Sequence, residues 1–210
     1  MLPAVLPLFP LSQVALFPHT FLPLHIFEPR YRQLVKDVLV SHQHFVLVLA
    51  KEAVTTDPSD RPSLHAVGSL ARIVRAEPIQ DGRWNLLVQG MGICKLAEEI
   101  QGSESYRQAR IEVLPFDHSK ALEDQVRQRL LADLQRYAKK HDMELPMSEL
   151  LDLPLEDEAR VCTLAMALEF DHVEKQFLLE AQDLPTMVDR LSQLLAFDLG
   201  GRGTSEGMIH

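Results

Sequence analysis

The side chains that invite a chemical reading are two thiols, a set of imidazoles and one pair of glycines. Cys94 and Cys162 stand 68 positions apart with no CxxC pair or Cys/His cluster near either, a spacing that signals neither a disulfide framework nor a zinc site. A thiol turns nucleophilic only beside a group that lowers its pKa. Cys94 is therefore a nucleophile candidate if a histidine lies against it, and otherwise a small buried apolar residue. His42 and His44 project to one side of an extended chain and, with His25 or His65, are the residues a metal would use. Two neutral imidazoles without a carboxylate or thiolate beside them make a weak set, so no metal and no other cofactor is expected. The nearest approach to a phosphate cradle is Gly90-Met91-Gly92-Ile93-Cys94-Lys95, which lacks a third glycine and runs on to Glu98-Glu99, charges that repel phosphate. It reads as a hairpin turn. No GxxxxGK[ST], GxSxG, SxxK or HExxH motif occurs, and an enzyme is not expected.

The uncommon stretch is Leu6 to Arg32, LPLFPLSQVALFPHTFLPLHIFEPRYR. Six of the 13 prolines lie in the first 29 residues and punctuate the apolar runs Val5–Leu8, Val14–Phe17 and Phe21–Ile26, the pattern of short strands and tight turns. Pro29 opens a helix in which Tyr31, Leu34, Val35, Val38 and Leu39 recur at helical spacing through Val40. Glu28 stands at the positive end of that helix as its cap, and Arg30 is placed to pair with it. Glu28, Arg30 and Tyr31 carry two readings, a structural staple or contacts to a ligand.

The elements that must position these residues follow along the chain. Phe45–Leu49 is a strand, and TTDPSDRPS after it has the chemistry of an exposed loop. Ser69–Ile79 leads through Asp81-Gly82 to Trp84–Gln89, a hairpin signal. Gly90 and Gly92 then turn the chain into Ile93–Ala97, and Tyr106–Leu114 is a further strand. Seven or eight short strands before residue 116 favour a closed or nearly closed barrel over an open sheet. After Pro115 the period becomes helical. Ser119 caps a helix with Leu122, Val126, Leu130, Leu134 and Tyr137 on one face and Arg127, Arg129, Asp133 and Arg136 outside it. Ser148–Leu153 is a short helical turn, and Glu156, Asp157 and Glu158 open a helix to Phe170. Asp171 caps the next, with Val173, Phe177 and Leu178 facing inward, and Pro185 opens the last, bearing Met187, Leu191, Leu194 and Leu195. The fold class is α+β: a β domain over 1–116, a helical bundle over 117–199 and a flexible tail over 200–210.

Charge separates the same two parts. Residues 1–115 hold 11 acidic and 11 basic side chains, and residues 116–210 hold 19 and 10, so the whole net charge of −9 lies in the second part. An acidic half repels a phosphate backbone and no Lys/Arg block offsets it, which argues against nucleic acid as a partner. The apolar opening lacks a basic leader and its prolines break a signal helix. No run approaches a membrane span, so a cytoplasmic protein with no membrane partner is expected.

LPLFPL, LFP, LPLHIFEPRYR, the Asp81-Gly82 hairpin leading to Val88-Gln89-Gly90, and Tyr106-Arg107-Gln108-Ala109 with Ile111-Glu112 closely resemble the N-terminal substrate-binding domain of Lon proteases, particularly its stand-alone bacterial versions. Leu153 to Leu195 is similar to the helical part of that family, so the resemblance covers about residues 5–197. His19 stands where the family usually has glycine, and Ile93 where it usually has arginine. The resemblance implies a PUA-like β-barrel followed by a helical bundle, without the ATPase and peptidase that full-length Lon adds, for which 210 residues hold neither motif nor room. It implies a non-catalytic module that binds unfolded or extended polypeptide segments. Proline-spaced apolar strands with open edges suit such a ligand, and the contact candidates are Phe17, Phe21, Leu24, Phe27, Arg30 and Tyr31. Two other classes stand beside it: an RNA-binding PUA-like module using Arg72, Arg75, Arg83, Arg107 and Arg110, and a small hydrolase or transferase working through Cys94 or the histidines. No residue pattern signals an oligomeric state.

Overall fold

The proline-punctuated opening resolves into one long buried strand, an irregular buried segment and one edge strand. A computed structural model describes residues 2–54, 61–102, 104–117, 122–143 and 156–200. The elements are β1 (Val5–Leu11), β2 (Phe21–Ile26), α1 (Pro29–Leu39), β3 (His44–Leu49), β4 (Val67–Pro78), β5 (Trp84–Ile100), β6 (Gln108–Leu114), α2 (Asp124–Lys140), α3 (Asp157–Ala167), α4 (His172–Leu179) and α5 (Leu184–Leu199). The class is α+β with a mixed six-stranded sheet. The expected loop at Asp57, the cap at Ser119, the turn at Ser148–Leu153 and the tail after Gly200 fall at least partly outside the described residues.

The sheet order is β2-β5-β4-β3-β1-β6, and β5 pairs with β6 as well. β1 and β3 are parallel, with Leu8 opposite Val46, and every other pairing is antiparallel. α1 lies in the crossover between those two parallel strands. Both are buried on two faces, which is why they read as continuous apolar runs. Phe9, Phe45 and Leu47 face the cluster under α1 with Tyr31, Leu34 and Val38. Leu6, Leu8, Val46 and Val48 face the opposite cluster with Cys94 and Ile111.

Three expectations are corrected here. Val14–Phe17 is not a strand, although Leu16 and Phe17 are fully buried. Its two fully buried residues have their carbonyls satisfied by side chains, Ser69 Oγ donating to Leu16 and Thr20 Oγ to Phe17, rather than by a ladder. Gly90 and Gly92 make no turn: β5 runs through them, with a register shift opposite Leu70/Ala71. Among the described residues six strands therefore stand where seven or eight were expected. The Asp81-Gly82 hairpin stands as expected, both residues having positive φ (67° and 72°).

Two compact units divide the chain out of sequence order: Met1–Phe116 with Cys162–Glu180, and Asp117–Val161 with Ala181–His210. Sequence order places all of 117–199 in one bundle, but α4 groups with the β part, where Gln176 Nε2 donates to the Val67 carbonyl at 3.1 Å. That inward glutamine also turns the buried face of α4 to Gln176, Leu178 and Leu179, leaving Val173 and Phe177 exposed against expectation. Asp171 caps α4 through a full capping box with Glu174. In the other unit α2 buries Leu130, Leu134 and Tyr137, and also Asp133, expected outside that face, which pairs with Arg136. Val126, expected on the apolar face, is exposed. α5 buries Met187, Val188, Leu191 and Leu195, while Leu194 is half-buried. Among the described residues no helix is long and apolar enough to cross a membrane.

Candidate functional site

β2 ends one side of the sheet and pairs only with β5, from Phe21 opposite Gln89 to Ile26 opposite Trp84. Its alternation sets Phe21, Pro23 and His25 outward, with Leu22 and Leu24 half-buried and Ile26 buried. Pro23 lacks an N–H and blunts this edge against uncontrolled pairing. His25 Nδ1 donates to Asn85 Oδ1 at 2.8 Å and its ring stacks on Phe27, centroids 6.2 Å apart. Phe27, at the exit of the strand, is 52% exposed.

Beside that exit lies a mostly apolar groove of about 280 Å³. Its walls are the end of β1 (Phe9, Leu11), the end of β2 with Phe27 and Glu28, the first turn of α1 (Tyr31), and Val54. Phe9 lies against Tyr31 with centroids 4.2 Å apart. Burial pushes the Tyr31 phenol up to about 12, so it is neutral at physiological pH. Across Tyr31 a second cavity of about 30 Å³ opens, sharing Pro10, Tyr31 and Val54 with the groove and lined also by Arg30, Arg61, Tyr106 and Arg107.

Glu28 occupies the cap position of α1 without capping it by its side chain. It binds Arg30 instead, at 3.0 Å from Nε and 2.8 Å from Nη2, and the Arg30 guanidinium lies 4.9 Å from the Tyr31 ring centre. The structure thus brings Leu24, Phe27 and Tyr31 together on the groove and sets Arg30 on the far side of Tyr31. Phe21, 51% exposed, stands at the other end of β2 and does not line the groove. Phe17 is corrected from contact candidate to core: it is fully buried, and its backbone abuts Gly90. Phe9, Leu11 and Val54 line the groove without having been singled out. Only the β1–β3 register and the position of α1 bring them there, and no spacing in the sequence carries that.

The other chemical candidates resolve into structure. The His42 and His44 side chains are engaged locally: His42 Nδ1 accepts from the His44 amide at 3.1 Å, and His44 Nδ1 donates to the His42 carbonyl. Burial and then the neighbouring His44 hold His42 below the ordinary imidazole range. Among the described residues no group of His, Cys, Asp or Glu is arranged to hold a metal. Cys94 is fully buried and its pKa is raised to about 12, a protonated thiol and so a poor nucleophile. Each of the five arginines of the RNA reading has a partner in the chain: at the surface Arg75 meets Glu77, Arg83 meets Asp81 and Arg110 meets Glu98, while Arg107 pairs with Glu99 and Arg72 donates to Gln89.

The chain matches the family model for the ATP-dependent protease La (LON) substrate-binding domain over residues 5–196. It is 27% identical over 196 residues to Lon protease 2 of Herpetosiphon aurantiacus, covering 92% of this chain and 24% of that protein. Over 114 residues it is 32% identical to a Lon protease of Desulfovibrio desulfuricans, covering 54% of this chain and 13% of that one. The chain spans at most about a quarter of the length of these relatives. Among solved structures it resembles a Lon N-terminal domain protein from Xanthomonas campestris, with a TM-score of 0.65, 24% identity and coverage of 92% of this chain and 98% of that one. The N-terminal domain of a Mycobacterium avium complex Lon protease aligns with a TM-score of 0.59 and 18% identity over 95% and 99% of the two chains. At these identities the two structures speak for the fold.

Proposed function

The chain belongs to the family of Lon substrate-binding domains, and from that premise we propose that it binds extended polypeptide segments of unfolded proteins without catalysing any change in them. The observation that supports this most directly is the apolar groove at the exit of β2, where the exposed Phe27 and the half-buried Leu24 adjoin an edge strand. An extended chain can lay alternate side chains into such a groove while its backbone follows the edge. Leu24, Phe27 and Tyr31 are the primary contacts, with Arg30 beside them and Phe21 a secondary contact further along the strand. The cyclic run of pairings β5-β4-β3-β1-β6-β5 supports a PUA-like barrel as the rigid support of this site. The two free, buried thiols suit a reducing cytoplasm.

Fluorescence anisotropy of a labelled neutral apolar peptide, and of unfolded casein, tests the reading. Binding in the micromolar range is expected, little affected by salt because apolar contacts are not screened. Replacing the exposed Phe27 with serine removes about 1–2 kcal/mol of apolar burial on binding, a loss of roughly fivefold to thirtyfold in affinity. No binding at high micromolar protein, or binding that Phe27→Ser leaves unchanged, overturns it. Neither casein cleavage nor ATP hydrolysis is expected, since no glycine-rich loop with its lysine and no activated hydroxyl motif occurs in the chain.

A further inference from the structure

We propose that the segment bound in the groove carries a carboxylate one or two positions from its apolar residue, and that Arg61, supported by Arg107 and Arg30, receives it in the small cavity across Tyr31. This rests on the polypeptide-binding reading and narrows its ligand to apolar segments flanked by Asp or Glu.

The cavity's charge carries the argument. Three arginines line it, Arg30, Arg61 and Arg107, in a chain whose net charge is −9. Two of the three are held in place. Glu99 takes Arg107 in a two-pronged pair at 2.7 and 2.6 Å, and Arg107 Nη1 also donates to the Pro62 carbonyl at 2.8 Å. Glu28 and the Tyr31 ring hold Arg30. Arg61 is exposed, and among the described residues no carboxylate lies within ion-pair distance of it. Arg75, Arg83 and Arg110 elsewhere in the β part each face a carboxylate, as Arg30 and Arg107 do, so within the cavity the charge open to a ligand is that of Arg61. Glu99 itself registers the field: the hydrogen bond from Arg107 holds it below the ordinary glutamate range against the opposing effect of burial, and the charges of Arg107 and Arg61 add to that.

Size and position agree. A volume of about 30 Å³ admits roughly two water-sized groups, the two oxygens of a carboxylate. Planar guanidinium groups with fixed donors suit that ligand. Because the cavity and the apolar groove share Pro10, Tyr31 and Val54, an extended chain with an apolar side chain in one sets a neighbouring side chain at the other.

The test uses the full chain and three labelled peptides of one apolar core, flanked by Asp/Glu, by Ser or by Lys, titrated at low and high salt. The acidic peptide is expected to bind about threefold to tenfold tighter than the neutral one at low salt, and the basic one weakest, with the differences narrowing at high salt. Arg61→Ser should remove most of the acidic advantage and leave the neutral peptide unchanged. Arg61→Glu should reverse the order. Equal binding of all three peptides, or an order that Arg61→Glu does not alter, overturns the proposal while leaving the apolar groove standing. Failure of the neutral peptide to bind overturns the groove reading and this proposal with it.

Discussion

Replacing Gly90 with alanine should cost the β part far more than the same change at Gly92. A Cβ at Gly90 would press into the Phe17 carbonyl oxygen, stand 2.8 Å from its carbonyl carbon and 3.3 Å from Leu16 Cγ. The nearest atoms are backbone and are held: His19 N donates to Gly90 O and Gly90 N to Thr20 O, both at 3.0 Å, and Thr20 Oγ donates to Phe17 O at 2.7 Å. Relief means moving 17–20 away from β5. Two backbone hydrogen bonds at about 0.5–1.5 kcal/mol each and overpacking at about 1–3 kcal/mol give roughly 2–6 kcal/mol. For a chain of this size that lowers the midpoint by about 5–20 °C. At Gly92 an added Cβ meets nothing within 4 Å, so alanine there should be neutral or stabilise by up to about 1 kcal/mol. Trp84, the sole tryptophan, sits at the start of β5 and reports this unit's unfolding by fluorescence in urea. The reasoning fails if Gly90→Ala stays within 1 kcal/mol of the parent (~1 kcal/mol being the typical effect of any point change), or if Gly92→Ala is equally damaging.

Four further outcomes are expected. Arg30→Ala should destabilise by about 1–3 kcal/mol, because it takes from the half-buried Glu28 carboxylate the guanidinium that pairs with it; a thermal melt beside the parent checks this, and a parent-like midpoint would refute it. Asp171→Ala removes the carboxylate that accepts from the Val173 and Glu174 amides at the start of α4 and should cost about 1–2 kcal/mol in denaturant unfolding, more than Glu174→Ala, which leaves both of those bonds in place. The Glu99 pKa is depressed in the folded state, so its contribution to stability is present above the unfolded glutamate pKa and is lost as pH falls through the folded value. The stability gap between the parent and Glu99→Gln should accordingly shrink from pH 6 to pH 3, and a gap that widens on acidification would show the sign to be wrong. Cys94, held protonated by burial, should stay unreactive toward a thiol reagent at pH 8 until the protein unfolds, as should the buried Cys162.

The parts of the fold legible beforehand were those fixed by local rules. β2 and α1 follow from proline placement and apolar spacing, the β4–β5 hairpin from Asp81-Gly82, and the α4 and α5 starts from Asp171 and Pro185. What escaped depends on a distant partner. Gly90 and Gly92 resemble turn residues, yet one is a glycine because another backbone passes over it and the other lies at a register shift. Phe17 looks like its neighbours Phe21 and Phe27 until Ser69 and Thr20 satisfy its segment inside the core. Half of the groove was visible as the aromatic run ending β2. The rest of it, Phe9, Leu11 and Val54, and the arginines at 61 and 107 that line the adjoining cavity, are brought there only by the tertiary fold. His19 shows how family habit and geometry meet: its φ is 64°, a left-handed conformation that glycine adopts without strain.

β1 bears on how the protein is made as well as on how it is built. Val5 pairs with Arg110 and Leu6 with Ala109, more than a hundred positions apart, while the same strand pairs with β3 on its other side. Gln176, later still, holds Val67. On the ribosome the first strand is therefore synthesised long before one of its two neighbours exists. At about 5–20 residues per second, the nascent chain spends several seconds with apolar strand edges unpaired. Under the proposed polypeptide-binding role, β1 is in that interval itself an extended apolar segment of the kind the groove would take.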